Sequence, residues 1–476
     1  MARSIKRKSA KGKRYTGMYF ESDGSECSAG TFDSEKAALD AARDAEKMVT
    51  QGKSPANLRD AGRATFAVVA AEWLAAQHDL KASTRAEYTN LLAKKTRARK
   101  NADGASTAGL SIAATFGARP INSIARKDIT EWVGALVKAG KSASTVRHHY
   151  FVVKAVLDHA VADGRVLDNV AVGVKLPSER TVVNSSPGVV DDPDMFLSAM
   201  QVAALVDATP WPCSVMVHLA AWSGLRAGEL CGLQVGDIDW PMNPNGTVWL
   251  RVRRTVSDTG GELTYDTTKT KGSNRRVPLR SATAQLLRDY LAEHPRADEP
   301  TAPLFCAVTL APVKPTGKRR ADDHGGEPET AAQKADRQAV ALAALSVAEA
   351  TDRLVLDWTA KLRHQTFYKA VFRPAVLRAN RLARESTTTA LAGDQTDVLP
   401  RQFKFHGLRH SYASLCAAAG LPVEKVSQYL GHSKTSTTLD IYVHLFRTDD
   451  ASDDMAALDS MDTPKATNVV PLRQRG

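Results

Sequence analysis

The chain is 476 residues long and carries 64 Lys+Arg against 52 Asp+Glu, a formal net charge of +12 that favours polyanionic partners. With 43% hydrophobic and 24% charged residues it can build a sizeable core, which excludes a disordered or collagenous chain, and its length allows about three domains. The cysteines (Cys27, Cys213, Cys231, Cys306, Cys416) are odd in number and lack CxxC spacing, which argues against a disulfide framework or zinc knuckle and fits reduced thiols in a cytoplasm.

The first fourteen residues hold Arg3, Lys6, Arg7, Lys8, Lys11, Lys13 and Arg14 and no acidic residue, a self-repelling run suited to phosphate backbones. Strands are expected over 14–20 and 25–32 around an Asp23-Gly24 turn, then a helix over 34–48, making a small sheet-plus-helix module with a basic leader. From Thr65, a helix cap, the apolar positions Phe66, Val69, Ala70, Trp73 and Leu74 keep helical spacing. A second helix is expected from Thr84, with Glu87 completing a capping box. Two more follow over 129–137 and 145–161, the last presenting Val146, Tyr150, Val153 and Leu157 on one face. Lys81, Lys94, Lys95, Arg97, Arg99 and Lys100 add a basic segment on or beside the second helix of this bundle.

Residues 176–193 lack periodicity and are rich in Ser, Pro and Asp, as a linker is. A further domain opens at Ser198, where Gln201 completes a capping box, and continues through helices into strands over 247–256, 263–268 and 275–279, with Asn245-Gly246 as the turn before them. After Phe305 a polar stretch leads into an Ala-rich segment, expected to be helical to about Lys361 and treated as an insertion. Helices return as far as Phe446, and an acidic stretch with Asp449, Asp450, Asp453, Asp454, Asp459 and Asp462 closes the chain.

Four segments of the last domain concentrate groups suited to phosphate chemistry. SGLRAGELCGL puts Arg226 at a helix start with Glu229 three residues on, and TKTKGSNRRVPL puts Lys269 and Lys271 in or beside a turn. FHGLRHSYAS places His406 and Arg409 one helical turn apart, and LGHSKTSTTLDIYVHL sets His432 just past a helix end marked by Gly431, with Tyr442 ten residues later. Taken singly, each is matched by a bland alternative: a surface arginine, a solvated charged loop, a half-buried helical tyrosine. A zinc site at His406 and His410 lacks the glutamate that such a helix needs after its first histidine, where Gly407 stands.

In this order the segments resemble the tyrosine recombinase family, the phage integrases in particular, with its pattern Arg, Lys, His-x-x-Arg, His, Tyr. Ser223 stands where that family often has Thr, and Gly407 where Asp is frequent; neither change removes a reacting group. The resemblance implies an arm-type DNA-binding domain (1–61), a helical core-site-binding domain (62–177), a linker (178–194), a catalytic domain (195–446, insertion about 311–360) and a tail (447–476). The expected fold is α+β and multidomain, mainly α with small β-sheets.

The resemblance also implies that Tyr442 attacks a scissile phosphodiester, giving a 3'-phosphotyrosine and a free 5'-hydroxyl without ATP, metal or other cofactor. Arg226 and Arg409 would bind the nonbridging oxygens bidentately and His432 would add a hydrogen bond. His406 would handle a proton near the tyrosine hydroxyl. Lys269 would protonate the leaving 5'-oxygen, with Lys271 as fallback because residues two apart on a strand share a face; Glu229 would orient Arg226 or support the fold. Expected partners are double-stranded DNA at core and arm attachment sites, three further copies in a tetramer, a host DNA-bending factor and a recombination directionality factor. A topoisomerase of the same chemistry, a recombinase resolving chromosome dimers and a catalytically silent DNA-binding architectural protein are the alternatives. No membrane role is expected: the N-terminus lacks an apolar signal core, and the longest apolar stretch, at 339–350, is far short of the roughly 20 residues a span needs.

Overall fold

The computed structural model describes residues 2–9, 12–51, 55, 61–94, 108–178, 192–243, 246–267, 274–312, 330–387 and 398–442. The chain divides into two compact units, Met1–Pro187 and Gly188–Gly476.

The first unit begins with an antiparallel sheet of β1 (Arg3–Ser9), β2 (Gly12–Phe20) and β3 (Glu26–Phe32), covered by α1 (Glu35–Thr50). The basic leader is therefore a paired strand and not only an extension of the module: β1 runs against β2 from Arg3 opposite Met18 to Ser9 opposite Gly12. Charge repulsion along the run is offset by ladder hydrogen bonds and by partners across the sheet such as Glu26, 2.5 Å from Arg3. Ser34 caps α1 by accepting from the Ala37 amide. The helix lies so close on β2 that a Cβ on Gly17 would sit 2.1 Å from the Ala38 carbonyl oxygen.

A bundle follows, of α2 (Phe66–Ala75), α3 (Ala82–Leu92), α4 (Arg126–Lys138) and α5 (Ala143–Ala162). Phe66, Val69, Trp73, Ile129, Trp132, Val146, Tyr150, Val153 and Leu157 bury their side chains together, each burial stabilising by about 1.5–3 kcal/mol for a large apolar group. Thr65 caps α2 through the Val68 amide. The Thr84–Glu87 capping box does not form, because α3 starts two residues earlier, after Lys81. Glu87 turns instead to His148, 3.1 Å away, and Arg85 ties α3 to the carbonyls of Leu74 and Gln77. Lys95, Arg97, Arg99 and Lys100, and most of the expected linker, lie outside the described residues.

The second unit starts with α6 (Ala199–Asp207), capped by Ser198 and Gln201 as expected, α7 (Cys213–Ser223) and α8 (Ala227–Cys231). Strands β4 (Ile238–Asp239), β5 (Trp249–Val252) and β8 (Arg275–Pro278) form a sheet in the order β4-β5-β8, while β6 (Arg254–Thr259) and β7 (Glu262–Thr267) form a separate hairpin. Val248, Leu250 and Val252 are buried as their alternation requires. The strand then breaks at Arg253, because Arg253 and Arg254 both turn to the buried Asp237, at 2.7 and 2.6 Å.

Beyond α9 (Ser281–Ala292), β9 (Cys306–Leu310) leads to the insertion, of which residues 313–329 lie outside the described part. Its described remainder is built into the unit. Helices α10 (Ala331–Ala343) and α11 (Val347–Asp352) are followed by β10 (Leu354–Lys361), a strand antiparallel to β9 where helix was expected. Leu354, Leu356 and Trp358 alternate toward the core, so the strand period decides once the alanines end. Arg378, on α12 (Arg373–Thr387), is 1% exposed and donates to the carbonyls of Ala208, Leu342 and Leu345, fastening the insertion. Then come α13 (Gly407–Ala418), α14 (Val423–Leu430) and α15 (Thr435–Tyr442). The fold is thus mainly α with small β-sheets, in more than one unit. All five cysteines are free, four of them buried. Among the described residues no helix is long and apolar enough to cross a membrane.

Candidate active site

Gly224 ends α7 in the left-handed region (φ 64°) and turns the chain so that Arg226 becomes the N-cap of α8. There is no room for a side chain at the turn: a Cβ on Gly224 would lie 2.4 Å from the Tyr412 ring. Glu229, 2% exposed, closes the capping box by accepting from the Arg226 amide at 2.8 Å, and it also takes the Arg226 Nη1 at 3.1 Å. Arg275 at the start of β8 grips both oxygens of the same carboxylate, at 2.9 and 3.0 Å, and gives its Nε to the Tyr429 carbonyl at 2.6 Å. Burial alone would raise the Glu229 pKa, but the Arg275 fork outweighs it and holds the carboxyl below its usual range. Arg275 also lies against Gly431, where a Cβ would be 2.8 Å from its Nη1. The Arg226 side chain remains 41% exposed, anchored at one end and open to a ligand.

His406 is the N-cap of α13 and Arg409 lies within its first turn, 3% exposed. Arg409 donates through Nη1 to the Gly224 carbonyl at 2.7 Å and through Nη2 to His432 Nε2 at 2.9 Å. Burial, then Arg226, pushes its pKa down to about 9, and the guanidinium stays charged at neutral pH. His432 follows Gly431, which ends α14 in the left-handed region (φ 70°). Because its Nε2 faces a donor, the ring is neutral and carries its proton on Nδ1, which points to Thr438 Oγ1 at 2.7 Å. Burial and the cations of Arg409, Arg226 and Arg275 push the His432 pKa down to about 4.

Tyr442 ends α15 and is 1% exposed, packed with Tyr412, Ala413, Cys416, Val426 and Leu430. Burial pushes its phenol up to about 12 against the opposing pull of Arg409 and Arg226. Its hydroxyl is hydrogen bonded at 2.8 Å to Nδ1 of His410. His406 stands beyond, exposed, its ring perpendicular to that of His410 with centroids 4.9 Å apart. Crowding by protein and the Arg409 and Arg226 cations lower the His406 pKa.

The structure therefore gathers Arg226, Arg409, His432, Tyr442 and His406 in one region. Lys269 and Lys271 lie outside the described residues, in the segment joining β7 to β8. Sequence reasoning missed two residues: Arg275, signalled by its place two before Val277 on the inward face of a strand, and His410, one helical turn beyond His406. Metal-binding side chains gather in threes, among the described residues, only at Glu72, His159 and Asp163 in the first unit. Among the described residues, the guanidinium groups of Arg226, Arg275 and Arg409 gather around the carboxylate of Glu229, an excess of positive charge, with Arg226 exposed, that is suited to a phosphate.

A sequence model described as Phage integrase family matches residues 195–448. The chain is 30% identical over 188 residues to an integrase of Mycobacterium phage D29, covering 38% of this chain and 46% of that one. It is 24% identical over 340 residues to a XerC-like tyrosine recombinase of Caldanaerobacter subterraneus subsp. tengcongensis, covering 68% of each. The chain spans 46% and 52% of the two phage integrases that it matches at 30% and 31% identity, about half their length. Among solved structures, it is similar to the Tn1549 transposon integrase in complex with transposon right end DNA, with 17% identity and a TM-score of 0.49 over 84% of this chain and 99% of that one. The family model covers more than half of the sequence, and the chain belongs to the phage integrase family of tyrosine recombinases.

Proposed function

We propose that this chain is a site-specific DNA recombinase of the integrase type, which cuts and rejoins double-stranded DNA at attachment sites and so integrates, and with an accessory factor excises, a phage or mobile-element genome. The observation that carries the reading is the convergence of Tyr442 with Arg226, Arg409 and His432 in a cationic site. Tyr442 Oη attacks the phosphorus as its proton passes to His406, and the P–O5' bond breaks, leaving a 3'-phosphotyrosine and, once the leaving oxygen is protonated, a 5'-hydroxyl. Arg226 and Arg409 stabilise the charge that builds on the nonbridging oxygens. Lys269 supplies the proton of the leaving oxygen. His432 joins them as a donor once a phosphate oxygen draws Arg409 away from its Nε2 and the ring proton moves to that nitrogen. His406 handles protons at the rim.

Residues 1–61 would hold arm sites and 62–177 the core site, joined through 178–194 to the catalytic domain 195–446. The working assembly would be a homotetramer on DNA in a bacterial cytoplasm, served by a DNA-bending factor and a directionality factor, with 447–476 docking on a neighbouring copy. The test is covalent trapping: pre-nicked duplexes tiled across the DNA flanking the gene should include one that yields a protein–DNA adduct. An adduct that persists in Tyr442→Phe would refute the nucleophile assignment.

A further inference from the structure

Resting on that reading, we propose that His410 is the positioning residue of the nucleophile, a neutral hydrogen-bond acceptor that fixes the Tyr442 hydroxyl before DNA is cleaved. The phenol is 1% exposed and walled by the side chains of Tyr412, Ala413, Cys416, Val426 and Leu430, so its hydroxyl must find a partner within the protein. That partner is His410 Nδ1, at 2.8 Å, with the two rings 5.7 Å apart between centroids. Among the described residues the phenolic proton has no other acceptor, so the hydroxyl donates to Nδ1, which presents its lone pair while the imidazole proton sits on Nε2.

The placement gives the contact a purpose. His410 directly follows Arg409 on α13, and successive helical residues point about 100° apart. One rigid helix thus holds the guanidinium expected on the phosphate and, one step on, the anchor of the oxygen expected to attack it. The His410 ring is itself fixed, edge-on to His406 at 4.9 Å and to Phe196 at 6.3 Å.

Two roles are open to an imidazole at this place, holding the hydroxyl or taking its proton, and the electrostatics favour the first. Burial, then the neighbouring His406 and Arg409, pushes His410 down to about 4, while the Tyr442 phenol is pushed up to about 12. The proton belongs on the oxygen, and the pair is a neutral hydrogen bond. Losing it would leave the phenol unsatisfied and free to rotate away from the line of attack.

The experiment measures single-turnover adduct formation by the full chain on the pre-nicked duplex found by tiling, with His410→Ala and His410→Asn beside the unaltered protein. The Asn oxygen can take the place of Nδ1 as acceptor but cannot take up the proton. We expect Ala to slow cleavage by at least about tenfold, the worth of one well-placed hydrogen bond. Asn should stay within about threefold of the unaltered rate, with an unchanged pH profile, and duplex binding by gel shift should be the same for all three. An Asn variant as slow as Ala, with Ala restored by added imidazole, would make His410 the proton acceptor and overturn the proposal. So would an Ala variant that cleaves as fast as the unaltered protein, or faster. If the unaltered chain forms an adduct and Tyr442→Phe does not, the recombinase reading stands whatever the His410 variants do; if the unaltered chain forms none, both fall.

Discussion

Glu229→Ala removes the carboxylate on which two arginines converge. Arg275, with a side chain 4% exposed, would lose the carboxylate that holds both its terminal nitrogens, and Arg226 would lose both its capping contact and its side-chain anchor. Breaking one partner of a buried ion pair costs about 3–5 kcal/mol. With about 2–4 °C per kcal/mol for domains of roughly 150–250 residues, the second unit should melt roughly 6–20 °C lower. Scanning calorimetry reads this directly, alongside single-turnover adduct formation. The double variant Glu229→Met/Arg275→Met should regain most of the lost stability, because removing both charges leaves neither buried alone. It should not regain cleavage, because Arg226 still has no anchor. A Glu229→Ala melting point within about 2 °C of the unaltered one, on the same scale, or full cleavage by the double variant, would show that Glu229 does not hold the two arginines in place. The depressed Glu229 pKa gives a sign as well: its stabilisation is present above the unfolded carboxyl value of about 4.3 and is lost as pH falls through the folded value.

His432 and His410, both pushed down to about 4, should remain unprotonated across neutral pH, and NMR titration should find no imidazole midpoint near 6.5 for either. Because their folded pKa values lie below the unfolded value of about 6.5, stability should be intact above that pH and decline between about 6.5 and 4, as urea midpoints would show. Gly224→Ala would force a methyl into the Tyr412 ring at a left-handed position, and should cost about 2 kcal/mol or more in urea unfolding and slow cleavage by displacing the Gly224 carbonyl from Arg409. Arg378→Met would strip the carbonyls of Ala208, Leu342 and Leu345 of a buried donor; the second unit should lose about 2–4 kcal/mol, and unchanged stability would count against the insertion being fastened there.

Features that a few neighbouring residues define were legible in the sequence: the Thr65 cap, the Ser198–Gln201 capping box, the buried face of α5, the inward alternation of Val248, Leu250 and Val252. Features that depend on distant partners were not. The strand stops at Arg253 because Asp237, 16 residues earlier, draws two arginines at once. Residues 354–361 form a strand because β9 offers an edge, and Thr84 is a competent cap that α3 bypasses. The same division holds at the site. Arg226, Arg409, His432 and Tyr442 could be singled out by motif, whereas Arg275 and His410 take their meaning from contacts 46 and 32 residues away.

The packing of Arg275 also bears on how this chain can change over generations. Its guanidinium needs Glu229, its bulk needs the missing side chain of Gly431, and its Nε needs the Tyr429 carbonyl. Glu229, Arg275 and Gly431 therefore behave as one hereditary trait, while the backbone carbonyl of residue 429 serves whatever side chain it carries. Drift at this corner should be rare and, where it occurs, joint, and position 431 is held to glycine twice over, by the Arg275 guanidinium against it and by its left-handed backbone (φ 70°).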